Sequence, residues 1–183
     1  GSSSESFRSV TSTSDGEIIA GGSFYSDEIQ VGDYTLKNND RDDGMIIKYE
    51  KMQLANPIVT KAEGIGGSDS EQIVSVVSTS NGGIIAGGYI AGGYSSGSSI
   101  QIGEDVTLIN NGNCDGMLIK YDEFGEVEWV KSIGGSSVDK IQSVATTSDG
   151  GIIVGGYFSS SSIQLKENIT LTNNGDYDGI VEN

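Results

Sequence analysis

The chain has 183 residues, of which 26 are acidic, 10 are basic and none is histidine, so its formal net charge is −16. Nucleic-acid binding needs lysine and arginine to replace phosphate counterions, and this balance argues against it. The lack of histidine removes the commonest general base, the Ser-His-Asp triad and the usual transition-metal ligand. No apolar run approaches the ~20 residues that span a bilayer, so no direct membrane insertion is predicted.

One sequence motif recurs three times, at intervals of about 67 residues. The copies begin at Gly1, Gly67 and Gly135, and each continues through a Ser/Thr-rich step, an Asp-Gly or Asn-Gly pair and a Gly-Gly doublet. A fixed period of this kind indicates a repeat architecture. The chain is therefore interpreted as one continuous repeat domain, with repeats at 1–66 and 67–134 and an incomplete repeat at 135–183.

The second repeat has the most complete set of predicted strands. Its β-branched content and turn residues predict four main strands, which in chain order are 73–78, 84–89, 117–121 and 127–133. An Asn-Gly turn joins the first two strands, because both residues tolerate positive φ. A small extra hairpin, 100–102 with 106–108, precedes the third strand. No segment has helical periodicity with a suitable cap.

Four short strands joined by tight turns form an antiparallel meander that exposes both of its faces. Stacking several meanders face to face buries these faces, and the usual solution with four strands per unit is the β-propeller. The sequence therefore predicts an all-β fold, a β-propeller segment of about 2.7 four-stranded blades. The alternative is a parallel β-solenoid, whose coils of ~20–30 residues would have to fit three to a period.

These segments resemble a known family of bacterial repeats. TSDGGIIVGGYF, then SIQ and TLTNNG, and in the second repeat MLIKYDEFGEVEWVKSIGG, are similar to seven-bladed β-propeller repeats of the long variety. The resemblance implies a secreted or surface-exposed protein with a binding role, and it supplies no catalytic motif. A separate prediction is that Trp129, Ile119 and Ile85 are buried between blades. The first repeat has Lys61 where the second has Trp129, and we expect weaker packing there.

The predicted propeller is incomplete, because closed propellers typically have four to eight blades. The sequence ends at Asn183, before any fourth strand of the third repeat. We therefore expect either further repeats in the natural polypeptide or a homo-oligomeric assembly in which neighbouring copies supply the missing blades.

An acidic loop in the first repeat contains Asp40, Asp42 and Asp43. Closely spaced oxygen ligands in a Gly-containing loop can hold calcium, the only cofactor that the sequence suggests. The same residue types are also preferred in tight turns. Asp43 recurs as Asp115 and Asp178, each before a glycine, and this recurrence favours a carboxylate that caps backbone N–H groups. Both interpretations stay open.

Three tyrosines near the Gly-Gly doublets are the candidate ligand-binding residues, namely Tyr89, Tyr94 and Tyr157. Tyrosine on Gly/Ser-rich segments can stack on sugars or anchor a protein partner. The alternative is that these aromatic rings pack between repeats. Asn168 begins an Asn-Ile-Thr sequon and is a candidate site for N-glycosylation.

The favoured function is a non-enzymatic extracellular or cell-surface module for binding or assembly. Its partner would be a protein, a glycan or identical copies of itself. The alternative is a propeller domain of a carbohydrate-active enzyme that uses acidic residues near the axis. An enzyme would need two or three carboxylates converging on one cleft, one of them with a raised pKa.

Overall fold

A computed structural model describes residues 1–51, 58–92, 98–103 and 106–182. Every helix or strand assigned in these ranges is a β-strand, which confirms the predicted all-β class. Among the same residues, no helix is both long and apolar enough to cross a membrane.

Seventeen strands lie in the described ranges. In chain order they are β1 Glu5–Ser12, β2 Ile18–Phe24, β3 Glu28–Val31, β4 Tyr34–Lys37, β5 Asp43–Tyr49, β6 Val59–Ile65, β7 Glu71–Ser78, β8 Ile84–Ala91, β9 Ser99–Ile102, β10 Val106–Ile109, β11 Cys114–Tyr121, β12 Val127–Ile133, β13 Asp139–Thr146, β14 Ile152–Phe158, β15 Ser162–Lys166, β16 Ile169–Thr172 and β17 Asp178–Glu182.

The strands of each repeat form one main antiparallel sheet. Sheet 1 has the order β1-β2-β5-β6, sheet 2 the order β7-β8-β11-β12 and sheet 3 the order β13-β14-β17. Each sheet has its own two-stranded hairpin, formed by β3 with β4, β9 with β10 and β15 with β16. The four predicted strands of the second repeat and its extra hairpin are confirmed. Compared with the prediction, β7 begins two residues earlier, β8 ends two residues later and β11 begins three residues earlier.

Glycine determines the geometry of the first hairpin turn in every repeat. Gly16, Gly82 and Gly150 have φ of 91°, 86° and 89°. This left-handed region favours glycine because it has no Cβ. The N–H of Gly82 donates to the carbonyl of Thr79 at 3.1 Å, and the same bond closes the other two turns. The Asp-Gly and Asn-Gly pairs therefore turn the chain as their sequence predicts.

Sheets 1 and 2 pack face to face around a hydrophobic cluster. Sheet 1 contributes Ile19 and Ile46, and the first strand of sheet 2 contributes Ile73 and Val76. All four side chains are buried. Alternation places Ile19 and Ile46 on one face of sheet 1. In β7 the register shift between Ile73 and Ser75 brings Ile73 and Val76 to one face, although they are three residues apart.

Sheets 2 and 3 repeat this arrangement. Ile85 and Leu118 of sheet 2 pack in one cluster with Ile141 and Val144 of sheet 3. Trp129 packs against this cluster between the two sheets as predicted, although it is partly buried and the sequence predicted a buried side chain. Strand β12, which carries Trp129, lies at the edge of sheet 2.

A glycine in each sheet allows the next sheet to approach closely. A Cβ added at Gly21 would lie 2.7 Å from methyl carbons of both Ile73 and Val76. A Cβ added at Gly87 would lie 2.7 Å from Val144 Cγ1 and 3.0 Å from Ile141 Cγ2. These contacts are tighter than real Cβ atoms make, so Gly21 and Gly87, the first glycines of their doublets, leave room for the Ile-Val pair of the next sheet.

Hydrogen bonds join the first strands of successive sheets. The N–H of Val76 donates to Ser9 Oγ at 3.1 Å, and the N–H of Val144 donates to Ser75 Oγ at 3.2 Å. Further along the strands, Ser78 Oγ donates to the carbonyl of Ser12 at 2.9 Å. Strands β1, β7 and β13 therefore form a series in which each contacts the next.

Alanine substitutions at equivalent glycines should have opposite effects on stability. Gly87→Ala should lower the free energy of unfolding by about 1–3 kcal/mol, because the added carbon overpacks the junction with Val144 and Ile141. Gly155→Ala should leave it unchanged or raise it by up to about 1 kcal/mol, because the nearest atom is Ser143 Cβ at 4.0 Å. Urea denaturation of both variants measures this difference, and equal effects would contradict the face assignment.

Candidate functional site

A carboxylate at the start of the third main strand caps the preceding loop in every repeat. Asp43 Oδ2 accepts hydrogen bonds from the backbone N–H of Asn39 at 3.1 Å and from its Nδ2 at 2.9 Å. The backbone bond recurs in the other repeats, at 2.8 Å from Asn111 to Asp115 and at 2.9 Å from Asn174 to Asp178. These bonds confirm the predicted capping role.

The three candidate calcium ligands occupy different environments. Asp40 is exposed, Asp42 Oδ2 accepts from Gln72 Nε2 at 3.4 Å, and Asp43 is fully buried. Within the described ranges, no group of three or more His, Cys, Asp or Glu side chains is arranged to hold a metal ion. Calcium binding at this loop stays a prediction, and comparing melting midpoints in millimolar calcium and in chelator tests it.

A second carboxylate recurs in the first strand of each repeat, as Glu5, Glu71 and Asp139. Asp139 has no exposed surface, and both of its oxygens are satisfied. Oδ2 accepts from the N–H of Gly135 at 2.8 Å and from Ser160 Oγ at 2.6 Å, and Oδ1 accepts from the backbone of the segment 159–160. Asp139 therefore ties the start of the repeat to the end of strand β14.

Glu71 is equally buried but has fewer hydrogen-bond partners. Its Oε2 accepts from the N–H of Gly67 at 2.8 Å, whereas Oε1 has no hydrogen-bond partner among the described residues. Gly92 stands where the third repeat has Ser160, so no hydroxyl is present to donate, and the N–H of Gly92 donates to the carbonyl of Asn113 at 2.9 Å instead. Asp43 Oδ1 is likewise without a partner. The junction between sheets 1 and 2 thus holds two buried carboxylates with one unsatisfied oxygen each.

Burial raises the pKa of Glu71 to about 8, and the nearby carboxylate of Asp43 acts in the same direction. Burial also raises the pKa of Asp43 to about 6. Of these two carboxyl groups, Glu71 is therefore the one that carries a proton at neutral pH. Because neither carboxylate has any exposed surface, these raised pKa values accompany a packed interior and not an open cleft.

A cleft at the outer side of the same junction contains the more accessible carboxylates. Lys61, Glu63, Gly103 and Glu126 line it. Burial raises the pKa of Glu63, whose Oε1 accepts from the N–H of Gly103 at 2.7 Å. Glu126 is exposed, and its Oε1 lies 3.2 Å from Lys61 Nζ. An acid with a raised pKa and an exposed carboxylate thus line one cleft.

The candidate tyrosines divide between a junction and an open surface. The ring of Tyr89 receives Lys140 of the next sheet, with Nζ 3.6 Å from the ring centroid. Tyr157 is partly buried and makes an edge-to-face contact with Tyr177, with ring centroids 5.4 Å apart. Tyr94 lies outside the described residues. Asn168 is exposed in the turn between β15 and β16, and its glycosylation stays a prediction.

Tyr157 belongs to a surface that the sequence did not reveal. This surface, here called the outer face, comprises Ile153, Gly155, Tyr157, Gly179 and Val181 on one side of sheet 3. Ile153 is 37% exposed and Val181 is 79% exposed. Their counterparts in sheets 1 and 2 are all buried, namely Ile19 and Ile85 for the first position and Ile46 and Leu118 for the second.

The opposite end of the stack shows the complementary pattern. In strand β1, Phe7 is 60% exposed and Val10 is 68% exposed. The equivalent positions in the other two repeats are buried, and they are Ile73, Ile141, Val76 and Val144. A repeat-by-repeat alignment identifies these positions, but the sequence has no signal that says which of them a neighbouring sheet covers.

No protein-family model matches this sequence, and no curated protein matches it. The resemblance to propeller repeats therefore rests on the quoted residues alone.

The equivalent buried acids Glu71 and Asp139 should respond in opposite ways to amide substitution. Glu71→Gln should raise the free energy of unfolding at pH 8 by on the order of 1 kcal/mol, because the amide removes a buried charge near the carboxylate of Asp43. Asp139→Asn should lower it by about 1–3 kcal/mol, because an amide nitrogen replaces an oxygen that accepts hydrogen bonds. Denaturant titration measures both changes. A loss of stability in Glu71→Gln would contradict the predicted opposite effects of the two substitutions.

The pH dependence provides a separate check. The pKa of Glu71 is raised from 4.5 to about 8 on folding, so the folded state binds more protons than the unfolded state between these values. The contribution of this group to stability is therefore full below pH 4.5 and is lost as the pH rises to about 8. Glu71→Gln should flatten the fall in stability over this interval, and an unchanged slope would contradict it.

Proposed function

We propose that this chain is a non-enzymatic, extracellular or cell-surface module that binds or assembles through its uncovered sheet faces. The observation that carries the proposal is the outer face of sheet 3. The positions of Ile153 and Val181 are buried in both other sheets, yet here these two side chains are exposed. A contiguous apolar surface of this kind is a typical feature of interaction sites.

The strand arrangement supports the more specific proposal of a β-propeller segment. Consecutive main strands pair antiparallel within each sheet, and the sheets stack with β1, β7 and β13 in succession. A parallel solenoid would instead pair its strands in parallel. Proposed localisation outside the cell follows the resemblance to secreted bacterial repeats, and the charge of −16 is compatible with an exposed, hydrated surface.

The buried reactive groups support a role other than catalysis. The recurring carboxylates cap loops or tie strands together, and Asp43, Glu71, Asp115 and Asp139 have no exposed surface. Burial also raises the pKa of the Cys114 thiol to about 12, so the nucleophilic thiolate is scarce at neutral pH. The proposed partners are therefore a protein, a glycan or identical copies of the chain.

A second candidate function is a carbohydrate-active enzyme that uses the cleft lined by Glu63 and Glu126. It is favoured by the raised pKa of Glu63, which suits a general acid, beside the exposed carboxylate of Glu126. The salt bridge from Lys61 to Glu126 opposes it by occupying the second carboxylate. This site lies between outer strands and not near the predicted axis.

Truncating an aromatic side chain on the outer face should weaken binding. We expect the immobilised wild-type chain to bind soluble wild-type chain or a neutral hexasaccharide. Tyr157→Ala in the immobilised chain should lower the affinity for the bound partner at least about tenfold, as at interface hot spots. The control is Phe124→Ala, since Phe124 is 74% exposed in a turn away from this face. Binding that is absent for both analytes, or equal losses in both variants, would contradict the proposal.

The two candidate functions are separated by assaying hydrolysis of chromogenic glycosides. We expect no turnover above the buffer rate. Turnover that is retained in Tyr157→Ala and lost in Glu63→Gln would favour the enzyme instead, because the latter substitution removes the proton donor while leaving the shape of the side chain.

A further inference from the structure

We propose that a second copy of this chain covers the outer face, with its strand β1 packed on strands β14 and β17. This inference rests on the proposed function and names the partner of the same surface. Each copy would then use two different surfaces, the outer face of sheet 3 and the exposed side of β1, so the contact is head-to-tail.

The internal junctions provide the template for this contact. At the first junction, Ile73 and Val76 of β7 pack against Gly21. At the second, the equivalent residues of β13 pack against Gly87. In strand β1 the equivalent residues are Phe7 and Val10, which are exposed and which no other sheet of the described residues covers.

The outer face has an unfilled recess at the matching place. A Cβ added at Gly155 would have its nearest neighbour, Ser143 Cβ, at 4.0 Å, and one added at Gly179 would have none within 4 Å. The equivalent glycines of sheet 1, Gly21 and Gly44, face Ile73 at 2.7 and 3.3 Å. At the internal junctions the Ile-Val pair from the first strand of the next sheet fills this space. The recess at Gly155 and Gly179 lacks these two side chains.

The sizes of the facing side chains are complementary. Strand β1 has Phe7 where the buried junctions have isoleucine, so it presents a larger side chain. The outer face has Val181 where the other sheets have Ile46 and Leu118, so it leaves more room. The larger Phe7 opposite the smaller Val181 keeps the total side-chain volume of the junction about the same, which close packing requires.

The polar contacts can also continue across this junction. The N–H of Val76 donates to Ser9 Oγ, and the N–H of Val144 donates to Ser75 Oγ. Ser143 is the next serine in this series and is exposed. It would accept the N–H of Val10 from the second copy.

Head-to-tail contacts close into rings or continue as filaments, depending on the rotation between copies. Because each copy carries a charge of −16, copies repel one another at low ionic strength. The contact itself is apolar. Self-association should therefore strengthen as salt is added, whereas an assembly held by salt bridges would weaken.

Two substitutions on opposite sides of the proposed contact give a decisive test by sedimentation velocity. Wild-type chain should form larger species as its concentration rises. Val10→Asp and Val181→Asp should each remove this association, because either one places an unpaired charge in the contact. Phe124→Asp, which alters an exposed apolar residue away from both surfaces, should associate as wild type does.

Mixing the two variants identifies the geometry. The Val10→Asp chain keeps an intact outer face and the Val181→Asp chain keeps an intact β1, so together they can form one junction and no more. We expect a one-to-one dimer from the mixture. Cooperative melting of each variant confirms that it is folded, and Gly155→Leu, which fills the open recess, replaces Val181→Asp if the latter does not fold.

Three outcomes would overturn the inference. The first is a wild-type chain that stays monomeric at every concentration and salt level. The second is a Val10→Asp chain that still dimerises alone, and the third is a mixture of folded variants that stays monomeric. If the chain is monomeric yet binds the hexasaccharide through Tyr157, the copy-to-copy contact is wrong while the proposed binding function stands.

Discussion

The packing of an Ile-Val pair against a glycine in the preceding sheet is the contact on which this structure depends. With Gly21 beneath Ile73 and Val76, sheets 1 and 2 come closer than any side chain at that position would allow. Close approach buries both clusters between the sheets and brings successive first strands within hydrogen-bonding reach. The Gly-Gly doublets are therefore structural requirements of stacking, and their recurrence follows from the recurrence of the junction.

Stacking also explains why so acidic a chain buries several carboxylates. The first and third main strands begin where neighbouring repeats meet, so the carboxylates at these positions become enclosed when the sheets pack. Asp139 is satisfied there by the hydroxyl of Ser160 and by the backbone N–H groups of residues 159 and 160. Glu71 has neither, since Gly92 replaces the serine and its N–H donates to Asn113. The same buried position is thus a satisfied anchor in one repeat and holds an unpaired oxygen in another.

Differences in exposure, rather than differences in residue type, distinguish the candidate interaction surfaces. Ile153 has the same identity as Ile19 and Ile85, but only Ile153 lacks a covering sheet. The repeat unit therefore carries two halves of a junction, and a half that no other sheet covers is an exposed apolar surface. The proposed recognition of another repeat would use the same contact that folds the module, without a dedicated ligand site.

The sequence by itself determined the strands, the turns and the repeat, because these depend on local side-chain chemistry. The β-branched runs and the Asn-Gly turn at Gly82 specify the hairpins, and Asp43 caps its loop through a residue only four positions away. Only the tertiary structure decided which acids are buried and which tyrosine is covered. Tyr89 and Tyr157 occupy equivalent positions in their repeats, yet Lys140 of the next sheet reaches only Tyr89. Burial depends on contacts between residues far apart in the chain, and the local sequence does not record them.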